Sequence, residues 1–233
     1  MVQTPIKLPT HYPDSDGKPM ADNTKQYKWI VRLVENLKRL LENQTAFVAG
    51  DLLWYPVQVD KDKTPPSQAP DAMVVLGRPD ADRGSYKQWE ENNIAPQVVF
   101  EIISPSNTAR EMADKQAFYA EHGVLEMYFY DPTSFSFWGL AREQRGDALN
   151  PVLMLNQPWI SPLLQIQFKM FEDGLAVFYP DGEPFKTLAE LARERDLAEV
   201  ERDNAQAERD AANAKLKRAI AKLQAAGLDV EGL

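Results

Sequence analysis

Two carboxylates stand in segments that would otherwise be apolar strands. Pro70-Asp71 opens the run Ala72–Leu76, and Glu101 interrupts the run Val98–Ile103. A glutamate in such a run is costly to bury unpaired, so it needs a cation, a metal or a proton. If the two runs pair antiparallel, the start of one lies opposite the end of the other and the two acids become neighbours. Adjacent carboxylates repel and raise each other's pKa. A divalent cation between them removes that penalty, and two acids with water and a phosphate are an ordinary oxygen set for magnesium. Asp71 and Glu101 are therefore candidate ligands for Mg2+ or Mn2+. Lys115 lies on a helical segment beyond Glu101 and shares a face with Glu111. A lysine turned toward such a phosphate can position water and stabilise developing negative charge.

Each residue also has a plainer reading. Asp71 suits a strand start after proline. Glu101 suits a structural ion pair, with Lys115 itself as a partner, and Lys115 suits a solvated helix face. Glu111 has a sufficient role as the acid of a capping box. Asp51, after Gly50, is equally a further ligand or a turn residue. Glu35 belongs on the solvent side of the first helix, and His11 belongs at the surface of a proline-rich lead. His122 falls in the last turn of a helix, where it complements the dipole.

Composition narrows the chemistry. The chain has no cysteine and two histidines, which excludes disulfides, thiolate catalysis, iron–sulfur clusters and histidine-rich metal centres. Any metal is then held mainly by oxygen. The net charge is -9, and only -1 of it falls after Phe185, so the acidity belongs to the first part of the chain. That balance opposes loose charge-driven binding to nucleic acid or to an anionic membrane. No targeting signal and no run of ~20 apolar residues is visible, which points to the cytoplasm.

The elements that would position these residues can be read from periodicity. Tyr27, Ile30, Val31, Val34, Leu37, Leu40 and Leu41 put one apolar face on a helix over 24–43, capped by Asp22 or Asn23. Strand-like runs follow at 46–49, 52–55, 72–76, 98–103, 127–130, 135–140 and 152–155, with weaker ones at 164–168 and 175–179. One helix, Ala109 to Glu121, interrupts them. Thr108 and Glu111 form its capping box, and Gly123 suits its C-terminal cap. The pattern predicts a mixed α/β or α+β domain over 1–184. Proline stops at Pro184, and 185–233 reads as a charged, alanine-rich helix with a heptad repeat. Leu188, Arg195, Arg202, Arg209, Leu216 and Leu223 fall at position a, and Leu191, Ala198, Ala205, Ala212, Ala219 and Ala226 at d. Arginine at a and alanine at d make a poor seam. Two readings stay open: a solvated helix braced by Arg195–Glu199 and Glu199–Arg202 pairs, or a weakly associating one that gives a homodimer.

Taken in order, these residues resemble the PD-(D/E)XK nuclease superfamily and, more closely, the Uma family of putative restriction endonucleases, once filed as a domain of unknown function. The matching segments are Pro70-Asp71, Phe100 to Ser106, Lys115 followed by Tyr119, Gly123-Val124, and Tyr128 through Pro132. Gly50 to Tyr55, Ser85 to Glu90 and the C-terminal helix fit as well. The resemblance implies an α/β, restriction-endonuclease-like mixed sheet flanked by helices, with a long C-terminal helix. It implies Asp71 and Glu101 as metal ligands and Lys115 as the catalytic lysine, moved onto the helix because Ile103 stands where the motif has its lysine. The implied reaction is metal-dependent hydrolysis of DNA phosphodiester bonds. Tyr86 and Trp89 suit the core or a sheet surface; with Arg83 and Lys87, inserted between the two acid-bearing strands, they are alternatively candidate nucleic-acid contacts. The rival reading from a different class is a catalytically silent binding or scaffold protein that keeps the nuclease fold.

Overall fold

The computed structural model describes residues 11–17, 19–154 and 157–225, apart from the side chains of Leu223 and Gln224. Its elements are α1 (Thr24–Leu40), β1 (Ala46–Ala49), β2 (Trp54–Tyr55), β3 (Ala72–Leu76), β4 (Tyr86–Lys87), β5 (Val98–Ile102), α2 (Ala109–His122), β6 (Glu126–Asp131), β7 (Ser136–Ala141), β8 (Asn150–Pro151), β9 (Trp159–Ile160), β10 (Gln167–Phe171), β11 (Gly174–Phe178) and α3 (Leu188–Ala225). The chain divides into two compact units after Thr187. Phe185 is buried and the backbone of Lys186 bonds Asn36, so the first unit extends a few residues past Pro184.

A six-stranded mixed sheet in the order β1-β3-β5-β6-β7-β8 organises the first unit. β3 runs antiparallel to both β1 and β5, whereas β5 and β6 are parallel. A parallel pair needs a crossover, and α2 supplies it. Successive residues of β3 and β5 alternate between two covered faces, which is why both strands read as apolar runs. Ala72, Val74, Val98, Phe100 and Ile102 pack beneath α1 and the small sheet β11-β10-β9. Met73, Val75 and Val99 face α2 through Met112 and Tyr119.

α1 begins at Asn23, whose side chain accepts from the backbone of Lys25 and Gln26. α2 begins at Thr108, which accepts from the Glu111 N–H, and ends at Gly123 with φ +107°. That left-handed turn favours glycine and sends the chain into β6. Several boundaries differ from the sequence expectation. The strand expected at 152–155 lies earlier, at Asn150–Pro151 on the sheet edge, where a proline is tolerated; Leu155 is outside the described residues. The strand expected at 164–168 starts only at Gln167, because Ser161–Gln165 closes a turn with Gln165 at φ +58°. The strand expected at 52–55 shortens to β2, while its parallel partner β4 carries too little periodicity to be read from sequence.

His11 is half-buried rather than at the surface: its ring packs edge-on to Tyr12, and its Nε2 is buried without a hydrogen-bond partner. Glu35 is partly covered. In α3, Arg202 approaches Glu199 at 3.8 Å as expected, while Arg195 meets its neighbour Asp196 at 3.2 Å. Ala226 lies outside the described residues. No described helix is long and apolar enough to cross a membrane.

A buried carboxylate away from the candidate site ties the small sheet to the large one. Glu126, 1% exposed, accepts from Tyr128 Oη at 2.8 Å, from the Leu163 N–H at 2.7 Å and from the Ser161 hydroxyl. Truncating one partner of such a network leaves buried donors unsatisfied. Glu126→Ala is expected to lower the unfolding free energy by ~3 kcal/mol, with Glu126→Gln costing less. Urea unfolding checks this; an alanine variant as stable as wild type would show that the network is dispensable.

Candidate active site

Strand register decides where the two acids sit. Ala72 pairs with Phe100 and Met73 with Val99. Continuing that register by one residue places Asp71 opposite Glu101. Alternation puts both on the face that carries Met73 and Val99, beneath α2. Asp71 is 7% exposed and Glu101 is 2% exposed, so neither charge is dispersed by bulk water.

Helix α2 supplies the partners of Glu101. Lys115 Nζ donates to one oxygen of Glu101 at 2.7 Å, and the buried Tyr119 hydroxyl donates to the other. Lys115 and Tyr119 are one helical turn apart and so share the face that meets the sheet. Asp71 accepts from the Ile102 N–H at 2.6 Å, which joins the two acids through the β5 backbone. Gln26 at the start of α1 donates to the Ile102 carbonyl at 2.9 Å and lies close enough to oppose the rise in the Asp71 pKa. The structure thus brings together all three residues singled out in sequence.

The pKa shifts follow this geometry. Burial, then the charge on Glu101, push Asp71 up to about 8, against smaller opposing effects of Lys115, the Ile102 N–H and Gln26. Burial works against the charge of Lys115, but Glu101 and Asp71 outweigh it and hold the ammonium above its ordinary range. Burial and the Glu101 carboxylate together keep the Tyr119 hydroxyl protonated well beyond its usual range.

Asp71, Lys115 and Gln26 line a cavity of about 380 Å3 together with Asp16, Asp22, Asp51 and Glu111, whereas Glu101 and Tyr119 are not among its lining residues. Lys115 is the one cation among its described lining residues. Asp51 holds a left-handed backbone, φ +49°, uncommon for a residue with a Cβ. Its N–H donates to the Pro70 carbonyl at 3.0 Å, which fixes it beside the strand that starts with Asp71. Gly50 allows this approach, since a Cβ there would lie 3.2 Å from the Asp71 carbonyl and 3.0 Å from Val34. Burial, then Asp16, raise the pKa of Asp51, with Lys115 opposing. Glu111 borders the cavity, and its carboxylate accepts from Asn107 at 3.4 Å rather than closing the expected box onto Thr108. Ser104 and Ser106 both donate to Asp22, which ties the loop after β5 to the residue before the α1 cap.

The family model Uma2, described as a putative restriction endonuclease, matches residues 15–177. The chain belongs to this family. The match spans the sheet, the acid pair and α2, and ends just before α3. A solved structure, a putative nuclease belonging to DUF820 from Anabaena variabilis, is 15% identical to the Uma2 chain; the match covers 65% of this chain and 81% of that one, with a TM-score of 0.43. No curated protein matches.

Other expected contacts fall elsewhere. Tyr86 is fully buried, with its hydroxyl on the Ile94 carbonyl. Arg83 is committed to Glu91 at 2.7 Å and lies over the Phe47 ring at 4.1 Å. Trp89 packs against Tyr12. This cluster is structural and lies outside the cavity lining; an arginine three residues from a tyrosine cannot be told from a nucleic-acid platform by spacing alone. His122 packs edge-on to Phe118 and Trp54, and burial lowers its pKa. What sequence reading missed is the set of clamps: Gln26, Tyr119 and the Asp22–Ser104–Ser106 cluster. Only Tyr119 carried a signal, its one-turn spacing from Lys115.

The donor set fits a divalent cation. Its groups are hard oxygens, two of them facing carboxylates whose mutual repulsion the fold does not fully cancel. Among the described residues no three Asp, Glu, His or Cys side chains cluster closely enough to hold a metal. A stability test follows without added metal. Asp71 titrates near 8 when folded and at about 3.8 when free, so between these values the folded chain keeps a proton that the unfolded chain has lost. Metal-free stability should therefore fall as pH rises from about 4 to about 8 and level off above. Asp71→Asn should flatten that slope and stabilise the chain by ~1–3 kcal/mol at pH 8.5 in chelator. Parallel profiles for the two proteins in urea unfolding would remove Asp71 as the titrating group.

Proposed function

We propose that this Uma2 protein is a metal-dependent endonuclease that hydrolyses DNA phosphodiester bonds, with Asp71 and Glu101 holding Mg2+ or Mn2+ and Lys115 as the catalytic lysine. The observation that carries it is the facing pair Asp71–Glu101, with Lys115 on Glu101 and with Asp71 and Lys115 lining a surface cavity. Membership in a family of putative restriction endonucleases supports the reaction class, and divalent metals are general among such enzymes.

The roles follow from the geometry. When bound, the cation supplies Lewis-acid polarisation of the phosphate and makes water more acidic. Asp71 and Glu101 fix its position through rigid strands. Tyr119 and Lys115 hold the Glu101 carboxylate in one orientation. The Lys115 ammonium stays charged and faces the cavity, where it stabilises negative charge on a phosphate oxygen as water displaces the leaving alkoxide. A new P–O bond to water oxygen forms, the bond to the sugar oxygen breaks, and the leaving oxygen takes up a proton.

One observation favours a second reading, a silent protein that keeps the nuclease fold and binds without cutting. Both Glu101 oxygens already have partners in Lys115 and Tyr119, a closed arrangement that is complete without metal. Cleavage of plasmid, linear and single-stranded DNA with Mg2+ or Mn2+ separates the two. The endonuclease reading expects metal-dependent cutting. Asp71→Ala, Glu101→Ala and Lys115→Ala should each slow it by about 100-fold or more. DNA binding without cleavage under all these conditions would favour the silent protein. Cutting that survives both carboxylate substitutions would place the activity elsewhere.

A further inference from the structure

The described residues of the second unit form a continuous 38-residue helix, about 57 Å long. Its charge is sorted along its length. Residues 188–210 carry eight acidic and four basic side chains, while 211–225 carry four basic and no acidic ones. It lacks a single apolar stripe, and all but two of its described side chains are exposed. Isolated helices gain from acidic residues near the N-terminus and basic ones near the C-terminus, but that effect fades within the first and last turn. It does not account for a polarity running the whole length, nor for the unbroken heptads Arg195–Glu201, Arg202–Glu208 and Arg209–Lys215.

We propose that α3 is a self-association element that pairs antiparallel with α3 of a second copy of this chain. Charge selects the direction. Parallel pairing would lay the basic third on the basic third and the acidic part on the acidic part. It would also stack Arg195, Arg202 and Arg209 against themselves, since a faces a in a parallel pair. Antiparallel pairing lays each basic end on an acidic one. With the pair centred between Arg202 and Ala205, every arginine at a meets an alanine at d: Arg195 faces Ala212, Arg202 faces Ala205, and Arg209 faces Ala198. A small residue opposite each arginine leaves room for its aliphatic stem while the guanidinium reaches the edge, where Glu194, Glu201 and Glu208 recur one position before each arginine. In the same register Leu216 meets Leu191, which gives each end an apolar layer. The arginine–alanine layers that make a poor parallel seam are thus compatible with an antiparallel one, and a two-fold axis relates the copies.

The absence of cysteine makes the test clean. Full-length protein should sediment as a dimer at micromolar concentration in low salt and dissociate as salt rises. Reversing the basic end with Lys215→Glu, Lys217→Glu and Arg218→Glu should weaken the dimer at least tenfold, with the far-UV helical signal and the unfolding of the first unit unchanged. Under mild oxidant, Ala198→Cys alone should not cross-link, because its copies lie far apart along an antiparallel pair. Mixed with Arg209→Cys, it should give the mixed disulfide. A monomer at every concentration would overturn the proposal. So would self-cross-linking of Ala198→Cys, which marks a parallel pair, or a dimer that yields no mixed cross-link, which places the contact outside α3.

Discussion

A carboxylate inside an apolar strand must be answered by its neighbours, and the arrangement around Glu101 follows from that demand. Its two oxygens take Lys115 and Tyr119 from α2, so the helix that crosses over between β5 and β6 is held in rotation as well as in place. Breaking a buried charge pair by removing one member is far more costly than the net worth of the pair. The position of α2 on the sheet is therefore enforced by electrostatics in addition to packing. Its apolar contacts, Met112 and Tyr119 on Met73, Val75 and Val99, would tolerate small shifts that the ion pair does not.

Asp71 is where that compensation runs out. Lys115 offsets one carboxylate, and the second is left with the Ile102 N–H, Gln26 and a cavity whose charged lining residues are acidic apart from Lys115. The same backbone segment joins them, since the Ile102 amide binds Asp71 while its carbonyl binds Gln26. A structural network with no further purpose is more economically built with one acid per base. A second buried, strand-fixed acid with no base of its own is what sets this cluster apart from Glu126. The Glu126 carboxylate is satisfied by three neutral donors and opens onto no described cavity.

The fold was largely legible where periodicity and capping chemistry agree. The apolar face of α1, the Thr108 and Gly123 ends of α2, and the runs β1, β3 and β5 all appear where the sequence puts them, within a residue or two. The juxtaposition of Asp71 and Glu101 was legible too, because two apolar runs each broken by one acid admit few pairings. Short elements such as β4 and β9 were not, since two residues have no period. The clamps escaped for a different reason. Gln26 and Asp22 reach the site from another element, and sequence separation hides such contacts. Arg83 and Tyr86 misled in the opposite sense: residue types suited to nucleic acid were recruited to cover the far end of the sheet.

The two units differ in charge. The first carries -7 of the net -9, and its candidate site adds acids where a phosphodiester would have to enter. On the proposed function, DNA can approach that cavity only once a cation has offset Asp71 and its neighbours, so substrate binding and chemistry share a single requirement. Non-specific electrostatic attraction, which supplies most of the affinity of basic DNA-binding proteins, is then largely absent. Recruitment must rest on contacts made at the site and on valency. A helix that joins two copies supplies valency without adding positive charge to the catalytic unit, because two weak sites on one assembly raise each other's effective concentration on the same polymer.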